Sequence, residues 1–255
     1  MRRVQVIARM TFTEAIRDRI LYSILAFALA MIGSATVLVT LSLGGEGRIV
    51  RDLGLTCITI FGVLLAIFMG ITLVSREIER RTIFTLLSKP VRRAEFLVGK
   101  FLGLALTLAV NLAVMTGGLM ALARVLEGHW APRVALAASF TFLELLVLTA
   151  VAVLFSTFST PTLSAIYTLL IFVIGHLTSD LFEFAARFGG TALRMTAAGL
   201  YYVLPNLSRF NLASVVANDL PLSVSTLTVT GLYGVTYVIA LLALATAVFQ
   251  RRDFK

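Results

Sequence analysis

The chain has few charged residues and almost no cysteine. Charged side chains make up only 14% of its 255 residues, well below the roughly 25% of a soluble domain. The single cysteine, Cys57, excludes an internal disulfide and a cysteine metal cluster. Hydrophobic residues make up 59% of the chain and come in long runs. Because runs of about 20 apolar residues match the hydrocarbon core of a bilayer, the composition predicts a helical protein that crosses a membrane several times.

Recognisable enzyme motifs are also absent. The sequence contains neither HExxH nor GxSxG. The phosphate-binding pattern GxxxxGK(S/T) fails at Gly99-Lys100, because residue 94 is alanine and Phe101 replaces the Ser or Thr. We therefore expect no catalytic residue, no metal site and no cofactor bound by this chain, which should not hydrolyse nucleotides by itself.

The few charges are mostly basic, with a net charge of +9. No basic patch is interleaved with the exposed stacking aromatics that bind nucleic acids, so we expect no nucleic-acid partner. Basic residues of membrane proteins gather in cytoplasmic loops and near lipid headgroups. The charge therefore predicts contact with membrane lipids and a defined orientation in the bilayer.

Six apolar runs are long enough to cross the membrane. They cover approximately residues 20–43, 53–75, 96–123, 134–157, 162–178 and 224–249. Short turns are expected at 44–52, 127–133 and 156–161. Residues 1–19, which precede the first run, carry an apolar residue at every fourth position, at Val4, Ala8, Phe12 and Ile16. This spacing predicts an N-terminal helix that lies in the membrane interface.

The segment 179–223, between the fifth and sixth runs, is long and mixed in composition. Asp180 and Glu183 resemble the start of a helix, which Gly189 and Gly190 would end. We expect an amphipathic interfacial helix between them. A second apolar piece, 191–204, is too short to span the membrane and is expected to be re-entrant or interfacial.

The distribution of basic residues predicts the orientation. With six spans, the side that holds both termini carries 15 of the 22 Lys and Arg residues, and the other side carries 7. The excess of basic residues places both termini in the cytoplasm and the segment 179–223 outside. The predicted fold is a single all-α transmembrane domain, 1–255, with six transmembrane helices.

Polar residues inside the predicted spans have two interpretations each. Glu144 lies well inside the fourth span, where a carboxylate is expensive. It either lines a translocation path or is a protonated or paired carboxyl that holds helices together. Asn111 ends a stripe of small and polar residues at every fourth position: Gly99, Gly103, Thr107 and Asn111. The stripe predicts close helix packing, with Asn111 bonding across to another helix, inside one subunit or at a dimer seam. His176, at the end of the fifth span, is expected to be a structural group.

The longest charged interruption of the chain is 75–100. It contains seven basic and three acidic residues. It is mostly charged at 76–81 and mostly apolar at 82–87, and Pro90 disfavours a continuous helix. From these residues alone, a loop that contacts a soluble partner and a solvated loop that only fixes the orientation are both compatible with the pattern.

This stretch also carries a resemblance to a known family. SREIERRT (75–82), followed by LLSKPV (86–91), resembles the first cytoplasmic loop of permease subunits in the type-two, exporter-like branch of ABC transporters. IFVIGHLTSDL (171–181) and LPNLSRFNL (204–212) resemble the fifth-span end and external segment of a bacterial branch. That branch includes the permeases of nitrous-oxide-reductase maturation and gliding-motility systems. The resemblance covers nearly the whole chain.

The resemblance implies an exporter permease in the bacterial cytoplasmic (inner) membrane. Its partners would be two copies of an ABC ATPase subunit, which bind ATP and Mg²⁺, and a second permease subunit in a homodimer. It also implies that the loop 76–95 couples the permease to the ATPase. Carried onto this chain, the coupling role falls to Arg76, Glu77, Glu79, Arg80, Arg81, Lys89 and Pro90.

Two other classes of function remain alternatives. A secondary carrier driven by an ion gradient usually shows repeated halves and several ionisable residues within the membrane. This chain has one clear acid of that kind and no obvious inverted repeat. A membrane scaffold would bind a partner without transporting anything.

Overall fold

The computed structural model describes residues 2–40, 46–79, 93–128 and 130–251. Within them the chain forms nine α-helices and one short 3-10 helix. They are α1 (Arg2–Ile16), α2 (Arg19–Thr40), α3 (Glu46–Glu79), α4 (Arg93–Glu127), α5 (Pro132–Ser156), α6 (Pro161–Phe188), α7 (Thr191–Val203), the 3-10 helix (Leu207–Phe210), α8 (Ala213–Ala217) and α9 (Val224–Arg251). Six of these helices, α2 to α6 and α9, are long and apolar enough to cross a membrane. The predicted all-α fold with six spans is confirmed.

Two of the predicted turns are found, each before a helix that begins with proline. The helix α5 begins at Pro132 and α6 at Pro161. Proline suits the first turn of a helix because the missing N–H would have no partner inside the helix. The turns predicted at 127–133 and 156–161 therefore lie where α4 and α5 end and the next helix begins.

The turn predicted at 44–52 is wrong for residues 46–52. The helix α3 already begins at Glu46, so Arg48 and Arg51 lie on its first turns and not in a loop. The sequence suggested a turn because these residues are polar. A charged residue can lie in the helix at position 51 because acidic side chains from other elements balance the charge of Arg51.

The helix start predicted at Asp180 is also wrong. The helix α6 runs without a break from Pro161 to Phe188, so Asp180 and Glu183 lie in its last turns. The exposed apolar stripe of α6 continues across this point, through Leu177, Leu181, Phe184 and Phe188, and no helix breaker separates the two parts. The predicted end at Gly189 is confirmed, because its N–H donates to the carbonyl of Ala185.

The helix α5 lies at the centre of the bundle. It packs against α3, α4, α6 and α9, and most of its side chains are buried. The outer helices α2, α6 and α9 expose many large apolar side chains, as expected of helices that face lipid or another subunit. We call the end of the bundle that carries α1 the N-terminal end, and the end that carries α7 and α8 the opposite end.

The helix α1 packs closely along α4. A Cβ atom at Gly103 would lie 2.5 Å from Cβ of Thr11 and 2.6 Å from the carbonyl oxygen of Ala8. At Gly99 it would lie 2.8 Å from side-chain atoms of Ile7. The small-residue stripe of α4 therefore allows contact between helices within one chain. The buried residues of α1 are Thr11 and Ala15. Each lies one position before a member of the predicted apolar stripe, Phe12 and Ile16.

Asn111 continues this stripe but bonds within its own helix. Its Nδ2 donates to the carbonyl oxygen of Thr107 at 2.9 Å, and its side chain is buried. Among the described residues, no donor reaches its Oδ1. The predicted hydrogen bond from Asn111 to a neighbouring helix is therefore not formed within the described part of this chain.

Candidate functional site

The structure describes three of the seven residues that are expected to couple the chain to a partner. Arg76, Glu77 and Glu79 belong to the last two turns of α3. The other four members of the set, Arg80, Arg81, Lys89 and Pro90, lie outside the described residues. The coupling role of the set stays a prediction; the described helices on either side of it end at Glu79 and begin at Arg93.

Arg93, at the first position of α4, holds the end of α9. Its Nη1 donates to the carbonyl oxygens of Phe249 at 3.0 Å and Gln250 at 3.1 Å. Its guanidinium also lies 6.0 Å from the centre of the Phe249 ring. The last carbonyls of a helix lack partners within the helix and carry partial negative charge, so a cation is favourable there. Arg93 therefore joins the start of α4 to the end of α9.

Lys100, two turns further along α4, joins the same region to α1. Its Nζ lies 3.9 Å from a carboxylate oxygen of Glu14 and 5.9 Å from the centre of the Phe96 ring. Phe96 in turn stacks on Phe249, with ring centres 6.4 Å apart. The base of the candidate coupling segment is thus connected to both α1 and α9.

Sequence reasoning missed these connections. It treated Arg93 and Lys100 as members of a charged stretch, whereas both have partners inside the chain. The partners are far away in sequence, so no local spacing rule such as the i,i+4 rule for helices points to them. An indirect signal did exist, because the C-terminal end of any helix favours a cation.

Glu144 lies at the middle of α5, and its side chain has no exposed surface. Its Oε1 is 3.5 Å from Nε2 of His176 on α6. Nδ1 of His176 lies 3.2 Å from the carbonyl oxygen of Phe172. This geometry fits the interpretation of Glu144 as a carboxyl that links two helices, and it gives His176 the structural contacts expected of it.

The pairing of Glu144 with His176 could have been found from sequence. The turn between α5 and α6 is short, so the two helices are antiparallel neighbours. At 1.5 Å per residue, Glu144 lies about 18 Å before the end of α5 at Ser156, and His176 about 22 Å after the start of α6 at Pro161. The two polar side chains therefore lie at similar depths.

Three polar side chains form a closed ring at the opposite end. Asn206 Nδ2 donates to Oγ of Ser179 at 2.8 Å, and Ser208 Oγ donates to Oδ1 of Asn206 at 2.7 Å. The two serine hydroxyls are 3.1 Å apart. Because Ser208 already donates to Asn206, the Ser179 hydroxyl donates to Ser208. We call Ser179, Asn206 and Ser208 the outer triad.

The outer triad fixes the segment 204–212 on α6 and α9. The backbone N–H of Asn206 donates to the hydroxyl of Tyr233 on α9 at 2.9 Å. Phe210 is fully buried and lies against Gly234, where a Cβ atom would be 2.9 Å from its ring. At Gly175 of α6, a Cβ atom would lie 2.7 Å from the carbonyl oxygen of Pro205. These contacts seat the segment whose sequence resembles the external part of the family.

A cluster of charged side chains binds several elements at the same end. Arg51 of α3 makes two hydrogen bonds to the carboxylate of Asp219, at 3.0 and 3.1 Å. Its Nε lies 3.3 Å from Oε1 of Glu127 at the end of α4. Arg133 of α5 lies 3.6 Å from Asp219. We call these four residues the charge cluster, which joins α3, α4, α5 and the connection between α8 and α9.

Comparison with known proteins identifies the family. Residues 5–254 match the model of the ABC-2 family transporter proteins. The comparison with curated proteins found no match. Because the family match covers nearly the whole chain, the chain belongs to the ABC-2 family, whose members are membrane permeases of ABC transporters and work with ABC ATPase partners. The protein is therefore a multi-pass membrane protein of the permease class.

Proposed function

We propose that this chain is the permease subunit of an exporter in which separate ATPase subunits hydrolyse ATP. Two copies of the chain form a homodimer with two ATPase subunits, which bind ATP and Mg²⁺. The protein lies in the bacterial inner membrane with both termini in the cytoplasm, as the excess of basic residues on that side supports. The residues at 171–181 and 204–212 support a place in the bacterial branch that the sequence resembles.

The observation that carries this proposal is that the helix that follows the candidate coupling segment is joined to α1 and α9. Of the segment 76–95, the structure describes 76–79, which end α3, and 93–95, which begin α4, and in the proposed orientation this end of the bundle faces the cytoplasm. Arg93 and Lys100 join the base of the segment to α9 and α1. A displacement of the segment by the ATPase would therefore act on four helices at once, which is the rigid-body type of coupling between a site and a bundle.

The proposal predicts that Glu77 and Glu79 are needed for coupling but not for insertion. In the chain co-expressed with its ATPase subunit, Glu77→Ala combined with Glu79→Ala should abolish the stimulation of ATP hydrolysis by the permease or weaken assembly. The reason is that these residues belong to the last turns of α3, where the family resemblance places the contact with the ATPase. ATPase activity of the reconstituted complex and co-purification of the two subunits measure the effect.

Glu183→Ala is the matched control for this experiment. Its carboxylate is 70% exposed at the opposite end of the bundle, where it pairs with Arg187. This variant should hydrolyse ATP and assemble like the unmodified complex. Normal coupling in the Glu77 and Glu79 variant would remove the coupling role from these residues, and transport driven by an ion gradient alone would contradict the proposed function itself.

A further inference from the structure

The pair formed by Glu144 and His176 has no role in the coupling proposal. It lies far from both ends of α5, and Glu144 is completely buried. In the described part of the chain, only His176 makes an ion-pair contact with Glu144, and no hydrogen bond reaches either of its carboxylate oxygens by strict geometry. Among the residues that the structure describes, no three or more His, Cys, Asp or Glu side chains group there to hold a metal ion.

The contacts of His176 define where its ring carries hydrogen. The carbonyl oxygen of Phe172 can only accept a hydrogen bond, so Nδ1, at 3.2 Å from it, carries a hydrogen. In a neutral imidazole, Nε2 is then an acceptor. The oxygen that faces Nε2 at 3.5 Å, Oε1 of Glu144, can satisfy this acceptor only if the carboxyl is protonated.

Electrical neutrality also favours one proton between the carboxyl of Glu144 and Nε2 of His176. With no shared proton, Glu144 and His176 carry a net charge of −1, and with two they carry +1. Either charge is expensive inside a membrane. One proton on Oε1 of Glu144, hydrogen-bonded to Nε2 of His176, leaves the pair neutral.

The other ionisable groups around α5 do not neutralise the charge of Glu144 or His176 by an ion pair within the described part of the chain. On the helices that pack against α5, and on the 3-10 helix, they are Cys57, Tyr167, Asp180, Glu183, Arg187, Arg209, Tyr233 and Tyr237, together with those at the helix ends. None of them makes an ion pair with Glu144 or His176 among the described residues. Among the described residues, His176 is therefore the ionisable side chain that contacts Glu144.

The pair is next to the outer triad. Ser179 lies three residues after His176, on the same face of α6. The residue before His176, Gly175, packs closely against the carbonyl oxygen of Pro205 at the start of the segment 204–212, since a Cβ atom at Gly175 would lie 2.7 Å from that oxygen. A change in how α6 sits on α5 would therefore move the surface that holds this segment.

We propose that Glu144 and His176 form a proton-binding site within the membrane, which holds one proton between the two side chains and stabilises the seat of the segment 204–212 on α6. Loss of the proton leaves an uncompensated carboxylate between α5 and α6 and weakens their contact. This inference concerns the chain alone and does not rest on coupling to an ATPase.

Infrared spectroscopy of the full chain in lipid nanodiscs tests the proton directly. At neutral pH, the unmodified chain should show the carbonyl band of a protonated carboxyl, and Glu144→Gln should lack it. Glu183→Gln, an exposed carboxyl on α6, is the matched control and should keep the band. Absence of the band from the unmodified chain, or its persistence in Glu144→Gln, would overturn the proposal.

Nitrogen NMR tests the histidine side without relying on a variant of Glu144. The chain has two histidines, so His129→Gln leaves one signal pair, that of His176. We expect hydrogen on Nδ1 at neutral pH, and a shift of the Nε2 signal at alkaline pH when Glu144 loses its proton. A ring that titrates like a free histidine, near its usual pKa of about 6.5, or that carries its hydrogen only on Nε2, would refute the shared proton.

Amide hydrogen exchange tests the link to the segment 204–212. The pH is raised through the range in which the Nε2 signal of His176 shifts. The exchange rate of this segment should then increase at least several-fold more than the chemical effect of pH on amide exchange accounts for. The extra increase should disappear in Glu144→Gln, because glutamine has no proton to lose in this range. An equal extra increase in both chains, or none in the unmodified chain, would disprove the link.

Discussion

Replacement of Arg51 by methionine is expected to lower the free energy of unfolding by about 3 kcal/mol or more. The Arg51 side chain is only 13% exposed and that of Glu127 only 9%. Removal of one partner from a buried ion pair leaves the other charge without compensation, which typically costs about 3–5 kcal/mol. Reversible denaturation in detergent micelles, followed by circular dichroism, measures the loss.

Arg48→Met is the matched control, since Arg48 lies one turn earlier on α3 and is exposed. It should change stability by less than about 0.5 kcal/mol, as is usual for surface substitutions. A double-mutant cycle of Arg51→Met with Asp219→Asn should further show a coupling energy between the two side chains. Equal stability of the Arg51 and Arg48 variants would show that the charge cluster does not hold the helices together.

Replacement of Gly103 by leucine is expected to displace α1 from α4. A side chain at this position would meet Thr11 Cβ at 2.5 Å and the carbonyl oxygen of Ala8 at 2.6 Å. Since one obstacle is backbone, the contact can be relieved only by moving the helix. Overpacking of this kind typically costs about 1–3 kcal/mol. A lower melting temperature and faster amide exchange in α1 would report it.

Gly117→Leu provides the control on the same helix. No atom lies within 4 Å of a Cβ built at Gly117, and leucine favours a helix over glycine by roughly 0.5–1 kcal/mol. The control should therefore keep or slightly raise the melting temperature. If both variants melt alike and α1 exchanges as in the unmodified chain, the close packing of α1 on α4 is contradicted.

The spanning helices were predictable because their signals are local. Apolar runs, the prolines at 132 and 161 and the glycine at 189 define most of their ends. The error at Asp180 arose because an acidic pair resembled a helix start, although nothing before it interrupts α6. Local pattern does not separate a polar last turn from a new helix when no breaker intervenes.

The side-chain contacts at both ends of the bundle were mostly not predictable. Arg93 meets the end of α9, and Arg51 meets Asp219, across more than 150 residues of chain. Such pairs depend on which helices become neighbours and how they are rotated, and neither follows from the spacing of residues within one helix. The pair of Glu144 with His176 is the exception, because a short turn puts both at similar depth.

The most direct test of the coupling role is photo-crosslinking from position 80 in the native membrane. A photoreactive amino acid at Arg80 should yield an adduct with a subunit that carries a nucleotide-binding motif, identified by mass spectrometry. The same amino acid at Arg124, which is exposed at the opposite end, should not. An ATPase adduct from position 124 but none from position 80 would contradict the proposed function of the segment 76–95.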